Sequence, residues 1–327
     1  MNPQKLKVLF VSGGNHPGFS IAPFIKSQAE ALMEAGVSVD FFRITRKGLR
    51  GYLSHIRPLR KVIREGQYDL VHAHYTFCGW VARLANSRIP LVVSYMGSDT
   101  YGSVNSSGRR KLKSIPVVLQ GMLLNFFVDA IIVKSKNLRK MILRKSIASV
   151  IPNGVDFKAF MPMEKEIALQ KLGLSDNTRY VLFMGNPADP RKNFSLAFKA
   201  CQLAEKQVKF RLLSPYPVKP EDVPLYLNAA DLLLVTSWLE GSPNIVKEAM
   251  ACNCPIIATP SGDIAEVLGQ TKQCYLLPFD AEMLAKGISE VLSAAGRSNG
   301  RELMQHLDNT VVARQIIELY KRLKINE

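Results

Sequence analysis

The stretch Leu232-Leu-Leu-Val-Thr-Ser-Trp-Leu-Glu240-Gly-Ser-Pro-Asn-Ile-Val-Lys-Glu248-Ala-Met-Ala251 decides the fold. Its opening apolar run, Leu232 to Val235, ends in a loop holding Gly241 and Pro243. A short continuous run bounded in this way predicts a strand buried on both faces. The residues from Asn244 onward read as a helix, with Ser242 as the expected N-cap and Pro243 in the first turn. A buried strand that feeds a helix through a short loop is the building unit of a parallel sheet. The helix start offers unpaired backbone N–H groups and the positive end of a dipole, which suits a diphosphate. Glu240 precedes that start, and Glu248 lies one to two turns inside, its side chain leaning back toward the N-terminus. One carboxylate can meet a sugar while the other accepts hydrogen bonds from a ribose diol; alone, Glu248 would read as an exposed helix charge.

The same alternation extends outward in both directions. Lys7 to Val11 is an apolar run ending in Ser12-Gly13-Gly14, followed by a helix with Ser20 as expected N-cap and Gly36 as its stop. Further strands are predicted at Val37–Phe42, Asp69–His74, Ile89–Tyr95 and Ala130–Val133, and a basic helical stretch precedes Asp69. The pattern restarts at Tyr180-Val-Leu-Phe-Met184, which also ends in glycine, Gly185. The expected fold is α/β, with two doubly wound Rossmann-like halves at 1–163 and 164–308, linked around Met161–Glu164, and a final helix at 309–327. On such sheets ligands bind beyond the carboxyl ends of the strands, so two facing halves make a central cleft. The longest apolar stretch, Ile115 to Val133, is broken by Gln120, Asn125 and Asp129, and reads as a buried helix followed by a strand rather than a membrane span.

Charge divides the chain unevenly. Residues 1–163 hold 24 Lys and Arg against 8 Asp and Glu, a net +16, whereas the remainder holds 19 against 19. Arg43 to Arg64 carries eight basic residues and no acid, and Arg109-Arg110-Lys111-Leu112-Lys113 adds four more. A field of this kind attracts lipid headgroups, nucleic acid or a phosphorylated substrate. No RNA-binding motif or interleaved aromatics accompanies the basic runs, so nucleic acid is not expected. No charged n-region precedes an apolar core at the start, and a cytoplasmic chain is expected. Five scattered cysteines, including Cys252-Asn-Cys254, read as buried thiols in a reducing compartment, with no second cluster at metal-ligand spacing.

The Glu240-x7-Glu248 pattern in its loop–helix setting resembles the signature of the family-4 (group 1) retaining glycosyltransferases of GT-B fold. The resemblance also takes in Gly13-Gly14, His72-Ala-His74, Ser135, Ile151-Pro-Asn-Gly154-Val-Asp156 and Gly262-Asp263-Ile-Ala-Glu266. It implies that Glu248 holds the ribose hydroxyls, and that Glu240, with the backbone after Gly241, faces the donor sugar. Arg191 and Lys192 would bind the diphosphate; taken without the resemblance, they would read as a solvated turn. Gly13, Gly14, Ser242, Pro243, Asn244 and Ile245 would complete the donor side, and His74 would sit beside the transferred sugar. Asp99 is a candidate on the acceptor side, and the final helix should pack back on the N-terminal domain. Two adjacent cations can neutralise the charge growing on a departing nucleotide. No Asp-x-Asp occurs, so neither metal nor cofactor is expected beyond the nucleotide diphosphate-sugar substrate.

There are departures. Asn186 stands where many relatives carry Arg, and Phe210 to Pro217 lacks a Gly-x-Gly turn. A nucleotide-sugar epimerase, or a non-catalytic nucleotide- or lipid-binding scaffold of the same fold, is the alternative. The expected partners are a nucleotide-sugar donor, a glycan or lipid-linked acceptor, and an anionic membrane surface meeting the N-terminal half.

Overall fold

The computed structural model describes residues 5–14, 20–86 and 88–325 of the 327-residue chain. Two compact units form: one from Met1–Gly102, Leu112–Gly154 and Asn309–Glu327, the other from Ser103–Lys111 and Val155–Asp308. The exchange therefore falls at Gly154–Val155, earlier than the expected linker around Met161–Glu164. Val155 and Phe157 are buried in the second unit's core, and Arg301 donates to the carbonyls of Phe157 and Phe160. The short segment 103–111 also counts with the second unit, because the Trp238 ring packs on Gly108 and its Nε1 donates to Ser106 O at 3.1 Å.

The first unit is built on six parallel strands: β1 (Lys7–Gly13), β2 (Ser38–Ile44), β3 (Leu70–His74), β4 (Leu91–Tyr95), β5 (Ala130–Val133) and β6 (Ala148–Val150). Their order is β2-β1-β3-β4-β5-β6. Helices α1 (Pro23–Glu34), α2 (Gly48–Leu53), α3 (Ile56–Gly66), α4 (Thr76–Ala85), α5 (Ser98–Tyr101), α6 (Ile115–Leu124) and α7 (Lys136–Lys140) alternate with them. Alternation forces right-handed crossovers and a sheet buried on both faces. On one face, Leu59, Val81, Ala82 and Leu124 from α3, α4 and α6 close over Leu9, Val71 and Val93.

The second unit repeats the plan with β7 (Tyr180–Leu182), β8 (Arg211–Leu213), β9 (Leu232–Val235), β10 (Ile256–Ala258) and β11 (Cys274–Leu276), in the order β11-β10-β9-β7-β8. Its helices are α8 (Lys165–Leu172), α9 (Phe194–Ala204), α10 (Val223–Ala229), α11 (Asn244–Ala251), α12 (Ile264–Leu268), α13 (Ala281–Ala294) and α14 (Gly300–Leu303). In both sheets the first strand of the unit lies between the second and the third, so the chain winds outward in opposite directions from it. That switch point opens a crevice at the carboxyl ends of β1 and β3 in one unit, and of β7 and β9 in the other.

The last helix, α15 (Asn309–Ile325), returns to the first unit. Its Val312, Ala313, Ile316 and Tyr320 join Ile25, Ala29 and Leu32 of α1 against Val8 and Phe10 of β1. The Tyr320 hydroxyl lies 2.6 Å from His72 Nδ1, and Ser94 Oγ lies 2.8 Å from His72 Nε2. All three groups are fully enclosed. Tyr320→Phe leaves one buried imidazole nitrogen without its partner, a cost of about 1–3 kcal/mol. We expect a lower melting temperature, measured by thermal denaturation with Tyr320→Ala as the larger-loss comparison.

Two helix starts differ from the sequence reading. Helix α1 begins at Pro23 behind Ala22, and α11 begins at Asn244 behind Pro243. Neither Ser20 nor Ser242 is the N-cap, because proline's fixed φ sets the turn in both places. Helix α6, expected to be buried, exposes one whole face: Leu119 keeps 58% of its surface and Leu123 keeps 53%.

Candidate active site

Three loops converge at the carboxyl ends of β7, β9 and β10. The first runs from Phe183 to Asn193 and closes with the turn Pro190–Lys192. Asp189 shapes that turn: its Oδ1 accepts from the Arg191 backbone N–H at 3.0 Å and its Oδ2 accepts from Arg191 Nη2 at 2.6 Å. Burial raises the Asp189 pKa, but these Arg191 contacts outweigh it and hold the carboxyl below its ordinary value. The Arg191 guanidinium thus serves its own turn as well as facing outward.

The second loop, between β9 and α11, is bound to the first through its backbone. Trp238 N–H donates to Arg191 O at 2.8 Å, and the Thr236 hydroxyl reaches Lys192 O at 3.1 Å and Asn193 O at 3.0 Å. These bonds bring Lys192 Nζ to 2.6 Å from Glu240 Oε1, with the carboxylate side chain only 12% exposed. A pair so well shielded is stronger than a surface ion pair and holds both side chains in one geometry. The third loop supplies Gly262, whose φ is +60°; a Cβ there would stand 2.9 Å from Glu240 O. Glycine allows both the left-handed backbone and the close approach.

Behind the loop lies a buried charge cluster that the sequence reading missed. Lys247 is fully enclosed, and its Nζ lies 3.1 Å from Ser242 Oγ. Burial lowers the Lys247 pKa to about 8, while Asp263 and Glu248 pull it back up. Asp263 is hydrogen-bonded to Ser242, and burial raises its pKa despite the nearby Lys247. Glu248, half-buried at the surface of the cluster, is pushed up to about 7 by burial, with Lys247 opposing. The only sequence signal for Lys247 is its place on the helix stripe shared with Val246, Met250 and Ala251, where an exposed lysine does not belong.

Gly241 and Pro243 are buried in this loop, while Ser242, Asn244 and Ile245 are partly exposed at the start of α11. The backbone N–H groups of the first turn of α11 have no partner further back in the helix, so the turn presents donors beside Lys192 and Glu240. Asn186 instead uses its Oδ1 to accept from Ala188 N–H at 2.9 Å. Among the described residues no group of three or more His, Cys, Asp or Glu side chains is arranged to hold a metal ion.

In the first unit, Gly13 ends β1 and Gly14 follows it, donating to Ile44 O at 2.9 Å. A Cβ at Gly14 would come within 2.8 Å of Arg43 Cβ, so that glycine is required by the adjoining strand. His74 ends β3 fully enclosed, its ring 4.4 Å from His72 and 4.7 Å from Phe10. Neither His74 nitrogen has a hydrogen-bond partner among the described residues. Burial and the neighbouring Lys134 lower its pKa well below the ordinary value, so the ring is neutral. Tyr75, directly after it, holds φ 74° and ψ 150°, a strained backbone for a residue with a side chain. Asp99 is committed elsewhere: its Oδ1 accepts from the N–H groups of Met96 and Gly97 at 3.0 Å, and its Oδ2 accepts from Thr76 Oγ1. Burial nonetheless raises its pKa, and its surroundings give it a turn-holding task.

Residues 21–159 match the family described as Glycosyltransferase Family 4, and residues 215–294 match that described as Glycosyl transferases group 1. A Bacillus subtilis (strain 168) protein named for teichuronic acid biosynthesis, the glycosyltransferase TuaC, is 27% identical over 285 residues, covering 77% of this chain and 70% of its own. The D-inositol 3-phosphate glycosyltransferase of Mycolicibacterium smegmatis is 23% identical, covering 89% of this chain and 73% of its own. Among solved structures, sucrose-phosphate synthase from Thermosynechococcus elongatus superposes with a TM-score of 0.81 at 21% identity, covering 99% of this chain and all of that one. Anabaena HepE in complex with UDP gives 0.73 at 19% identity, over 97% and 100% of the two chains. Both sheets follow the GT-B pattern of these structures, and the chain belongs to the family-4, group 1 glycosyltransferases, enzymes that transfer glycosyl groups.

Proposed function

We propose that this enzyme moves a sugar from a nucleoside diphosphate donor onto a lipid-linked or surface-polysaccharide acceptor, without a metal ion and with retention at the anomeric carbon. The observation that carries the donor half is the meeting of Lys192, Glu240 and the start of α11 at the switch point of the second sheet. A diphosphate placed there accepts from the helix N–H groups and competes with Glu240 for the Lys192 ammonium. Glu240, released in part from that pair, faces the sugar, and Glu248 accepts from the ribose diol. Arg191, held in the same turn by Asp189, adds positive charge beside the diphosphate. As the bond from the anomeric carbon to the β-phosphate oxygen breaks, negative charge grows on the leaving diphosphate, and Lys192 with the helix dipole stabilises it. HepE, a structural neighbour, has been solved with UDP and with UDP-glucose, which supports a nucleotide-sugar donor.

The acceptor half rests on charge and on the teichuronic acid relative. All eight basic residues between Arg43 and Arg64 are exposed, with Arg57, Arg60, Lys61 and Arg64 on α3. Near an anionic bilayer such residues contribute roughly 1 kcal/mol each and fade within a Debye length. A cytoplasmic enzyme held peripherally at the inner face of the membrane fits this surface. No helix among the described residues is long and apolar enough to cross a membrane.

A thermal-shift panel of UDP, GDP, ADP and dTDP, with and without EDTA, tests the donor half. One diphosphate at 100 times its dissociation constant should stabilise by roughly 2.7 kcal/mol, and EDTA should leave that shift unchanged. No shift with any of the four, or a shift lost in EDTA, overturns the donor assignment. A scaffold without turnover would bind the nucleotide yet leave its sugar ester intact over hours. Retention is checked by the anomeric coupling in the product NMR spectrum.

A further inference from the structure

The outer face of α6 has the opposite polarity to a solvated helix. From Leu112 through α6 to Phe127, the exposed large apolar side chains are Leu112, Ile115, Leu119, Leu123, Phe126 and Phe127, spaced three or four residues apart as far as Phe126, with Lys113 and Pro116 the other exposed positions. Leu112 keeps 79% of its surface and Phe126 keeps 56%. No charged residue occurs between Ser114 and Val128. An outer helix face is normally its polar stripe, and a contiguous apolar patch marks an interaction surface. Leu143, also exposed, adjoins it through its N–H bond to Asn125 Oδ1 at 2.9 Å. Trp80 supports the rod from α4, its ring 5.5 Å from Phe127 and its Nε1 donating to Gln120 O.

The surroundings select the occupant. Helix α3 packs on α4 and α4 on α6, all on the same face of the first sheet, so the cationic outer face of α3 belongs to the same helical layer. Arg60 reaches across that layer to Leu84 O at 2.8 Å. Between Lys113 and Lys145 the chain carries seven basic residues, six of them exposed or partly exposed and Lys134 buried, and the single acid Asp129. A protein partner could match the apolar face alone; apolar side chains in one layer with the α3 cations match an anionic bilayer, acyl chains below and headgroups alongside.

Resting on the membrane part of the proposed function, we infer that the exposed face of α6 inserts into the acyl-chain boundary of an anionic bilayer, with the cations of the same layer meeting its headgroups. Attachment then has two components: a cationic one that salt removes and an apolar one that salt leaves in place.

The test is co-sedimentation of the full chain with vesicles of phosphatidylglycerol and phosphatidylcholine, at low and at high salt. Tryptophan quenching by brominated acyl chains is read beside it in a Trp238→Phe background, where Trp80 reports. We expect binding that persists in part at high salt, with Trp80 quenched. The triple variant Leu119→Ser, Leu123→Ser, Phe126→Ser should lose the salt-resistant fraction and the quenching, the partition coefficient falling roughly tenfold per side chain. Because these positions are exposed, its melting temperature should match the parent's. Charge reversal at Arg57, Arg60 and Lys61 should remove the salt-sensitive fraction and keep the quenching. If the parent's binding vanishes completely in high salt and Trp80 is unquenched, the insertion is wrong while the electrostatic membrane reading stands. If the parent ignores the vesicles, both fail. A parent that sediments as a dimer, becomes monomeric in the triple variant and leaves Trp80 unquenched would assign the face to a second copy of the chain and overturn the inference.

Discussion

Lys192→Ala should lower turnover by about 10²–10³-fold, the loss expected when one preorganised stabiliser of leaving-group charge is removed. The lysine is held at 2.6 Å from Glu240 in a turn tied to the β9–α11 loop by three hydrogen bonds, so no solvent reorganisation is needed to place it. Its removal also leaves the Glu240 carboxylate without a counter-charge. Lys192→Arg should recover part of the rate, since the charge returns on a longer, planar group. The measurement is steady-state release of the nucleoside diphosphate from the donor that the thermal-shift panel selects. Near-parental turnover in the alanine variant would remove Lys192 from the chemistry.

Glu248→Ala should weaken nucleoside diphosphate binding by roughly 10–100-fold, as hydrogen bonds to a charged acceptor contribute about 1.5–3 kcal/mol. Glu240→Ala, by contrast, should slow transfer while leaving the affinity for nucleotide alone nearly unchanged. The pH dependence follows from burial, which pushes the Glu248 carboxyl up to about 7. The sign runs against a typical glutamate: in the free enzyme the group keeps its proton at pH 6, and a ribose diol needs the ionised form as acceptor. Affinity should therefore rise as pH increases through about 7, with proton release on binding below that point. Above about 8 Lys247 loses its charge in turn, which limits the plateau. Calorimetry in buffers of different ionisation enthalpy measures both; a flat profile, or a Glu248→Gln variant with the same profile as the parent, counts against the ribose assignment.

The doubly wound plan and the Glu240–Glu248 loop were readable because buried parallel strands appear as short unbroken apolar runs, and ligand loops follow them. What escaped was whatever depends on direction rather than composition. Ile115 to Leu124 is apolar on every side, so its periodicity cannot say that Leu124 faces the sheet while Leu119 faces out. Lys247 carries a charge and sits next to Glu248, so a linear reading assigns it to solvent, although the α11 stripe turns it inward. The Lys192–Glu240 pair spans 48 residues and depends on backbone bonds between two loops that no local pattern announces. His74, expected beside the transferred sugar, does end β3, but the sequence could not show that its ring is enclosed between Phe10 and His72. Val155 to Met163 lacks the composition of a domain edge, and only packing against Leu182 and Leu233 shows where it belongs.

The return of α15 to the first unit has a consequence for biosynthesis. The second unit draws nearly all of its chain from one uninterrupted stretch, Val155–Asp308, and has its full chain once Asp308 has emerged. The first unit begins emerging earlier yet finishes later, because Val312, Ile316 and Tyr320 complete its hydrophobic face. While the ribosome still holds those residues, His72 lacks its hydroxyl partner and the α1 side of the sheet stays uncovered. The order of completion is thus the reverse of the order of synthesis, and the nascent first unit is the part of this chain that a chaperone has reason to shelter.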